Sequence, residues 1–221
     1  TFPIITLIMA FANLYGMGGA PLCSIERGKG NTKKAEEIMG NSFTLLMITG
    51  LILTIIILIF KKPLLYLLGA SDNTFSYAND YISIYLLGSI FVMISLGMNT
   101  FINSQGFGRV GMMTILVGAI TNIILDPIFI FLLRMGVKGA ALATIISQFL
   151  SALWVLHFLS SNNAILKLKK KYFKINIIHF KNIISLGLSG FIMAITNSIV
   201  QIVCNVTLQS YGGDLYVGVI T

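Results

Sequence analysis

The stretch Ile38–Phe60, IMGNSFTLLMITGLILTIIILIF, decides the fold, because it contains no charged residue from end to end. About 20 mostly apolar residues are enough for a helix to cross the hydrocarbon core of a bilayer, and this stretch reaches that length. Hydrocarbon offers no hydrogen bonds to the backbone, so a helix is the structure that satisfies such a run. The stretch therefore predicts a transmembrane helix.

Further apolar runs of similar length lie on both sides of this stretch. Each is bounded by Gly, Pro, Asn or charged residues, which are typical helix boundaries. They are Phe2–Leu22, Tyr77–Ile102, Met112–Leu133, Ala140–Leu159 and Ile183–Val206, and one more begins at Leu215. The pattern predicts an all-α fold, a polytopic membrane helix bundle.

The composition agrees with this prediction. Apolar residues make up 56% of the chain and charged residues 10%, and the mean hydropathy is +0.90. A soluble domain carries about 25% charged residues, so this chain is expected to have lipid as its main solvent. The chain begins at Thr1 inside one apolar run and ends inside another, and we expect it to be an internal fragment of a longer protein.

The positive charges predict the orientation in the membrane. If successive runs cross in alternate directions, eleven of the fifteen Lys and Arg residues fall on one side, in the segments 27–34, 109 and 167–181. The positive-inside rule places that side in the cytoplasm of a cell-membrane protein, with the linker 160–182 among its loops. The net charge of +8 is then a sign of topology and of contact with anionic lipids, and we expect no nucleic-acid partner.

Signatures of enzymes and metal sites are missing from the sequence. His157 and His179 lie far from each other and from carboxylates at metal-ligand spacing, and Cys23 and Cys204 form no ligand pair. The segment 28–31, GKGN, lacks the spacing of a phosphate-binding loop. We therefore expect no catalytic residue, no metal and no cofactor.

Asp126 is the one acidic residue deep inside an apolar run, and Asn122 lies four positions before it on the same helix face. A carboxylate in hydrocarbon costs several kcal/mol unless it is paired, hydrated or protonated. Because Pro127 has no N–H, it also leaves the carbonyl of Ile123 free. These oxygens suit H⁺ or a small hard cation such as Na⁺. The alternative is that Asp126 caps a helix that restarts at Pro127.

Neutral polar residues form stripes on three of the predicted helices. Such side chains either line a solute path or hold helices together through hydrogen bonds, and both interpretations remain open. The stripes contain Ser95, Asn99 and Asn103; Thr144, Ser147, Gln148 and Ser151; and Asn197, Gln201 and Asn205.

Several short motifs follow one another along the chain: GMGGAPLCSI at 16–25, GKGN at 28–31, LGAS at 68–71, NIILDP at 122–127 and GVKGAALAT at 136–144. Taken in this order, they resemble the multidrug and toxic compound extrusion (MATE) family, and look closest to its Met-rich multidrug-export branch in Gram-positive bacteria. Each motif is weak alone, but their order covers essentially the whole chain.

The resemblance implies a two-lobe, twelve-helix antiporter that exchanges cationic or amphipathic small molecules for H⁺ or Na⁺ by alternating access. This chain would supply helices 2–6 of the N-terminal lobe (1–159), the inter-lobe linker (160–182), helix 7 and the start of helix 8 (183–221). The first helix and the rest of the C-terminal lobe would be its partners. The coupling acid that many members carry on helix 1 falls outside this chain, and helix 6, Ala140–Leu159, has no acid.

Two other functions remain as alternatives. A lipid-linked precursor flippase of the same superfamily needs a cationic cavity, and no Lys or Arg lies in the middle of a run. A non-transporting structural membrane protein does not need polar stripes that converge.

Overall fold

The computed structural model describes residues 2–68 and 70–220, with side chains described as far as residue 208. Throughout these residues each regular element is helical, which confirms the all-α prediction. The helices are α1 (Phe2–Gly28), α2 (Thr32–Leu67), α3 (Asp72–Leu87), α4 (Ser89–Ser104), α5 (Gly108–Pro127), α6 (Val137–Ser160) and α7 (Ile177–Ile220). A π-helical turn (Ile128–Leu132) follows α5, and a 3₁₀ turn (Lys170–Tyr172) precedes α7.

Five of the helices in the described part of the chain are long and apolar enough to cross a membrane. The remaining predicted run, Tyr77–Ile102, is not one continuous helix. It is divided at Gly88 into α3 and α4, whose axes differ in direction by 57°. Ile145 of α6 lies against this bend, where a side chain on Gly88 would come within 2.5 Å of it. If α3 and α4 count as one broken span, the total is six.

The last helix also differs from the prediction. α7 begins at Ile177, before the predicted Ile183, and continues without interruption to Ile220. Leu215, where a new run was expected, therefore lies inside α7.

The centre of the bundle is α1, which packs against α2, α4 and α7. On the far side of α4, α6 packs against α3, α4 and α5, so α4 joins the two groups of helices. The fully buried side chains Ile8, Met39, Leu46, Met98 and Phe101 fill the space around α1. The core therefore lies between α1, α2 and α4.

Glycines permit the closest crossing in the bundle, between α1 and α7. A Cβ atom on Gly18 would overlap the carbonyl oxygen of Ile183, and one on Gly187 would overlap the carbonyl oxygen of Leu14. The two backbones therefore touch directly. In lipid, helices associate through such close packing because apolar burial from water contributes little between them.

The outer surface is apolar, as a membrane-facing surface requires. Ile55 and Ile59 of α2 and Ile115 and Ile123 of α5 are each more than half exposed. A soluble monomer rarely exposes contiguous apolar surface on this scale. The structure thus agrees with a multi-pass membrane protein.

The three basic loops meet at one end of the bundle, as alternating spans require. Arg27 donates to the carbonyl oxygen of Gln105 at 3.1 Å, and the Gln105 side chain accepts from the N–H of Leu166 at 2.8 Å. Lys169 forms an ion pair with Glu36 at 2.6 Å. The linker after α6 is therefore bound to the loops between the other helices.

The crossing of α1 and α7 gives a first prediction. In Gly187→Ala the new methyl group must push α7 away from α1, so the detergent-purified protein should lose about 1–3 kcal/mol of stability. Gly28→Ala is the matched control, because a Cβ there meets no atom within 4 Å. Thermal unfolding should show a lower Tm for Gly187→Ala alone, and equal Tm values would contradict the crossing.

Candidate functional site

A cavity of 270 Å³, lined by both apolar and neutral polar residues, lies between α4, α5 and α6. Its polar lining comes from all three helices and carries no charged side chain. These residues are Ser95, Asn99, Thr114, Asn122, Thr144, Ser147, Gln148 and Ser151. They converge because each helix places residues four apart on one face, and those faces point toward one another.

Hydrogen bonds across the cavity hold its three helices together. Ser95 Oγ of α4 donates to Gln148 Oε1 of α6 at 2.7 Å. Ser151 Oγ of α6 donates to the carbonyl oxygen of Thr114 at 2.9 Å. Asn99 Nδ2 of α4 donates to the carbonyl oxygen of Gly111 at 3.2 Å. These side chains line a cavity and also form hydrogen bonds between helices, so both interpretations of the stripes apply in part.

Asn99 is the least satisfied of these side chains. Its Oδ1 atom is buried and accepts no hydrogen bond from the residues that the structure describes. Leaving a buried acceptor without a donor costs about 1–3 kcal/mol. Asn99 lines the cavity, but this oxygen has almost no accessible surface, so an occupant of the cavity reaches it only if the side chain turns.

Asp126 is held by Asn122 next to the cavity. Asn122 Nδ2 donates to Asp126 Oδ1 at 3.3 Å, and both residues are partly buried. α5 continues through Pro127 into the π-helical turn, so the alternative that Asp126 caps a restarting helix is wrong. Pro127 removes one donor from the backbone ladder, which explains the change from α- to π-helical bonding at this point.

The structure brings some of the predicted site residues together. Asn99, Asn122 and Gln148 line the cavity, and Asp126 bonds to Asn122. Asn103 lies outside it, exposed near the end of α4.

The predicted residues of α7 lie elsewhere. Asn197, Gln201 and Asn205 belong to a helix that packs against α1 and α2, and they do not line this cavity. Gln201 Oε1 is buried and has no hydrogen-bond partner among the described residues. The stripes therefore do not all converge on one cavity.

Thr114 was not predicted as a cavity residue, although its spacing in the sequence indicates it. Thr114, Gly118, Asn122 and Asp126 are spaced by four residues, so they form one small or polar face of α5. Of this face, Thr114, Gly118 and Asn122 line the cavity.

The chemistry of the site is that of neutral oxygens beside one carboxylate. Over the described residues, no three His, Cys, Asp or Glu side chains gather as a metal cluster. Hydroxyl, amide and carboxylate oxygens bind protons and hard cations, and they also accept from N–H groups of organic cations. The arrangement is therefore suited to binding and releasing protons, metal cations or organic cations.

Comparison with known proteins supports this picture. The model of the MatE family matches residues 1–128. The multidrug export protein MepA of Staphylococcus haemolyticus is 32% identical over 212 residues, which cover 96% of this chain and 47% of that protein. MepA of Staphylococcus aureus is 29% identical with the same coverage. The chain thus spans about half the length of the curated relatives it matches.

Solved structures agree with the fold. An inward-facing multidrug resistance MATE transporter of the MOP superfamily superposes with a TM-score of 0.94 and 26% identity, over 99% of this chain and 50% of that one. The MATE multidrug transporter DinF-BH, solved as a complex, gives a TM-score of 0.93 and 33% identity, over 99% of this chain and 49% of that one. Since the family model matches more than half of its residues, the chain belongs to the MATE family.

Proposed function

We propose that the complete protein is a secondary-active exporter of the cell membrane. It exchanges cationic or amphipathic organic compounds for H⁺ or Na⁺ by alternating access, with the linker 160–182 in the cytoplasm. The names of the multidrug export relatives support this proposal. No covalent chemistry is part of it.

The observation that carries the proposal is the Asn122–Asp126 hydrogen bond beside the cavity between α4, α5 and α6. As a carboxylate, Asp126 accepts from the Asn122 amide and attracts a cation. As an acid, it becomes a donor itself, and the Asn122 amide must turn its oxygen toward Asp126 or lose the bond. Loading Asp126 with a proton or Na⁺ thus changes the groups that Asn122 presents to the cavity.

In this proposal the cavity is the part of the solute path that the chain supplies. Asn99 and Gln148 offer amide oxygens to a solute cation without adding a fixed charge. Asn103, Asn197, Gln201 and Asn205 stay predicted path residues, and their partners would come from the rest of the protein.

A lipid-linked precursor flippase fits the cavity less well. Its substrate carries a pyrophosphate group, which Lys or Arg side chains would have to neutralise. The lining residues include neither. A structural protein that transports nothing would not need polar side chains from three helices around one cavity.

Replacing the acid tests the coupling role. In Asp126→Asn the side chain keeps its shape but can no longer be charged, so cation-driven dye efflux from cells should fall to the level of cells without the protein. Asp72→Asn is the control, because Asp72 lies in the first turn of α3 and does not line the cavity. Efflux should be measured at matched expression with an imposed proton gradient and then with a Na⁺ gradient. Wild-type efflux by Asp126→Asn under both gradients would reject the coupling role.

Replacing Asn99 tests the solute path. Asn99→Leu removes the buried acceptor and fills part of the cavity, so the KM for a cationic dye should rise roughly tenfold, the loss of one hydrogen bond of about 1.4 kcal/mol. Asn73→Leu is the control, because Asn73 is exposed in the first turn of α3 and does not line the cavity. An equal rise in KM for both variants would place the solute outside this cavity.

A further inference from the structure

A second cavity, here called the linker cavity, lies at the basic end of the bundle. Its volume is 360 Å³, and it lies between Glu37 and Asn41 of α2 and the segment 171–179, which includes the start of α7. It shares no lining residue with the cavity between α4, α5 and α6. The transport proposal gives it no role.

The linker cavity has fixed walls, because the linker backbone is bonded to α2. Thr44 Oγ1 donates to the carbonyl oxygen of Phe173 at 2.9 Å. Asn41 Oδ1 accepts from the N–H of Asn176 at 2.6 Å. At Gly40 the two backbones lie so close that a Cβ atom would come within 2.6 Å of the carbonyl oxygen of Tyr172. The cavity is therefore built by tertiary contacts.

Two lysines of this cavity form no ion pair. At the same end of the bundle, three other lysines are paired with acids: Lys29 and Lys34 with Glu26, and Lys169 with Glu36. Lys171 and Lys174, which line the linker cavity, form no ion pair within the described part of the chain. Their charges are therefore available to an anion in the cavity.

The ammonium group of Lys171 is also held in place. It lies 4.5 Å from the centre of the Tyr172 ring. Interaction with the Tyr172 side chain raises the pKa of Lys171 above its usual value, so the group is fully charged at neutral pH.

Two further residues define what the cavity can accept. The buried side chain of His179 lies with Nε2 at 3.7 Å from Glu37 Oε2. Glu37 thus places one carboxylate acceptor in the same cavity as the two lysines. An anion that also carries a hydroxyl group matches this lining. Its negative charge would lie near the two lysines, and its hydroxyl group would donate to Glu37.

Exposed isoleucines beside the cavity distinguish a lipid from a soluble anion. Ile177 and Ile178 are 62% and 64% exposed and occupy the start of α7, and Ile175 is 49% exposed. A soluble phosphate compound makes no use of such a surface, whereas an acyl chain covers it. Basic side chains next to an apolar, membrane-level surface are the usual setting for anionic headgroups.

We propose that the linker cavity binds the headgroup of an anionic, hydroxyl-bearing phospholipid, with the phosphate between Lys171 and Lys174 and the acyl chains over Ile177 and Ile178. The lipid would join α2, the linker and α7 at the membrane surface. This proposal is independent of the proposed transport function. Its test measures lipid binding to the purified protein, so its failure is distinguishable from a failure of transport.

The test is native mass spectrometry of the full-length protein in detergent, titrated with phosphatidylglycerol. Lys171→Gln/Lys174→Gln should weaken the apparent Kd by roughly 10- to 30-fold, given about 1 kcal/mol per basic residue near an anionic surface. Lys33→Gln/Lys170→Gln removes two charges that do not line the cavity and should change the Kd less than about twofold. Equal weakening in both double variants would overturn the site.

Three further experiments separate charge from folding and identify the occupant. Lys171→Arg/Lys174→Arg keeps both charges and should restore binding, which separates lost charge from lost folding. Glycerol 3-phosphate, the soluble part of the headgroup, should not displace phosphatidylglycerol at equal concentration. Ile177→Ser/Ile178→Ser should weaken lipid binding. Displacement by glycerol 3-phosphate together with unchanged binding by the serine variant would overturn the lipid as occupant.

Discussion

Every polar group inside the bundle must find its partner within the protein, because hydrocarbon offers none. This constraint explains the bonds between α4, α5 and α6. Ser95 reaches Gln148 and Asn99 reaches a backbone carbonyl, so each bond satisfies a polar group and fixes a helix at once. Among the described residues the constraint is not met at the side-chain oxygens of Ser42, Asn99 and Gln201, and of these three residues Asn99 lines the cavity between α4, α5 and α6.

The same constraint explains why small residues govern the packing around α1. Apolar side chains gain little by leaving lipid for protein, so close backbone contact supplies the attraction. Gly18 and Gly187 allow that contact between α1 and α7. The chain segment before α7 is held separately, where Asn41 and Thr44 bond to the linker backbone. α7 is thus attached at two places, once inside the bundle and once at its basic end.

The sequence predicted most of the fold, since hydropathy alone marks long apolar runs. The bend at Gly88 could not be predicted, because a single glycine inside such a run is equally compatible with a straight helix. The order Asp126–Pro127 was ambiguous in a similar way, and only the continuous backbone through Pro127 decided it.

Part of the candidate site was predictable as well. Periodicity shows which residues share a face, and this was enough to select Asn99, Asn122 and Gln148. It does not show which helix a face meets, and for that reason the α7 stripe was grouped with residues that lie elsewhere. The bond between Asn41 and the Asn176 backbone joins residues 135 positions apart, and no local pattern indicates it.

An ion and a solute are coupled through a residue that interacts with both of their binding sites. The geometry limits which residue can have this role. The Asn122–Asp126 bond lies within one helix, so making or breaking it does not by itself move α4 or α6. A solute in the cavity competes instead with the bonds between helices, at Asn99 and Gln148. Asn122 is the one described residue that both lines the cavity and bonds to Asp126. In the proposed cycle, loading of Asp126 therefore reorients the Asn122 amide, and this reorientation alters the affinity of the cavity for a solute.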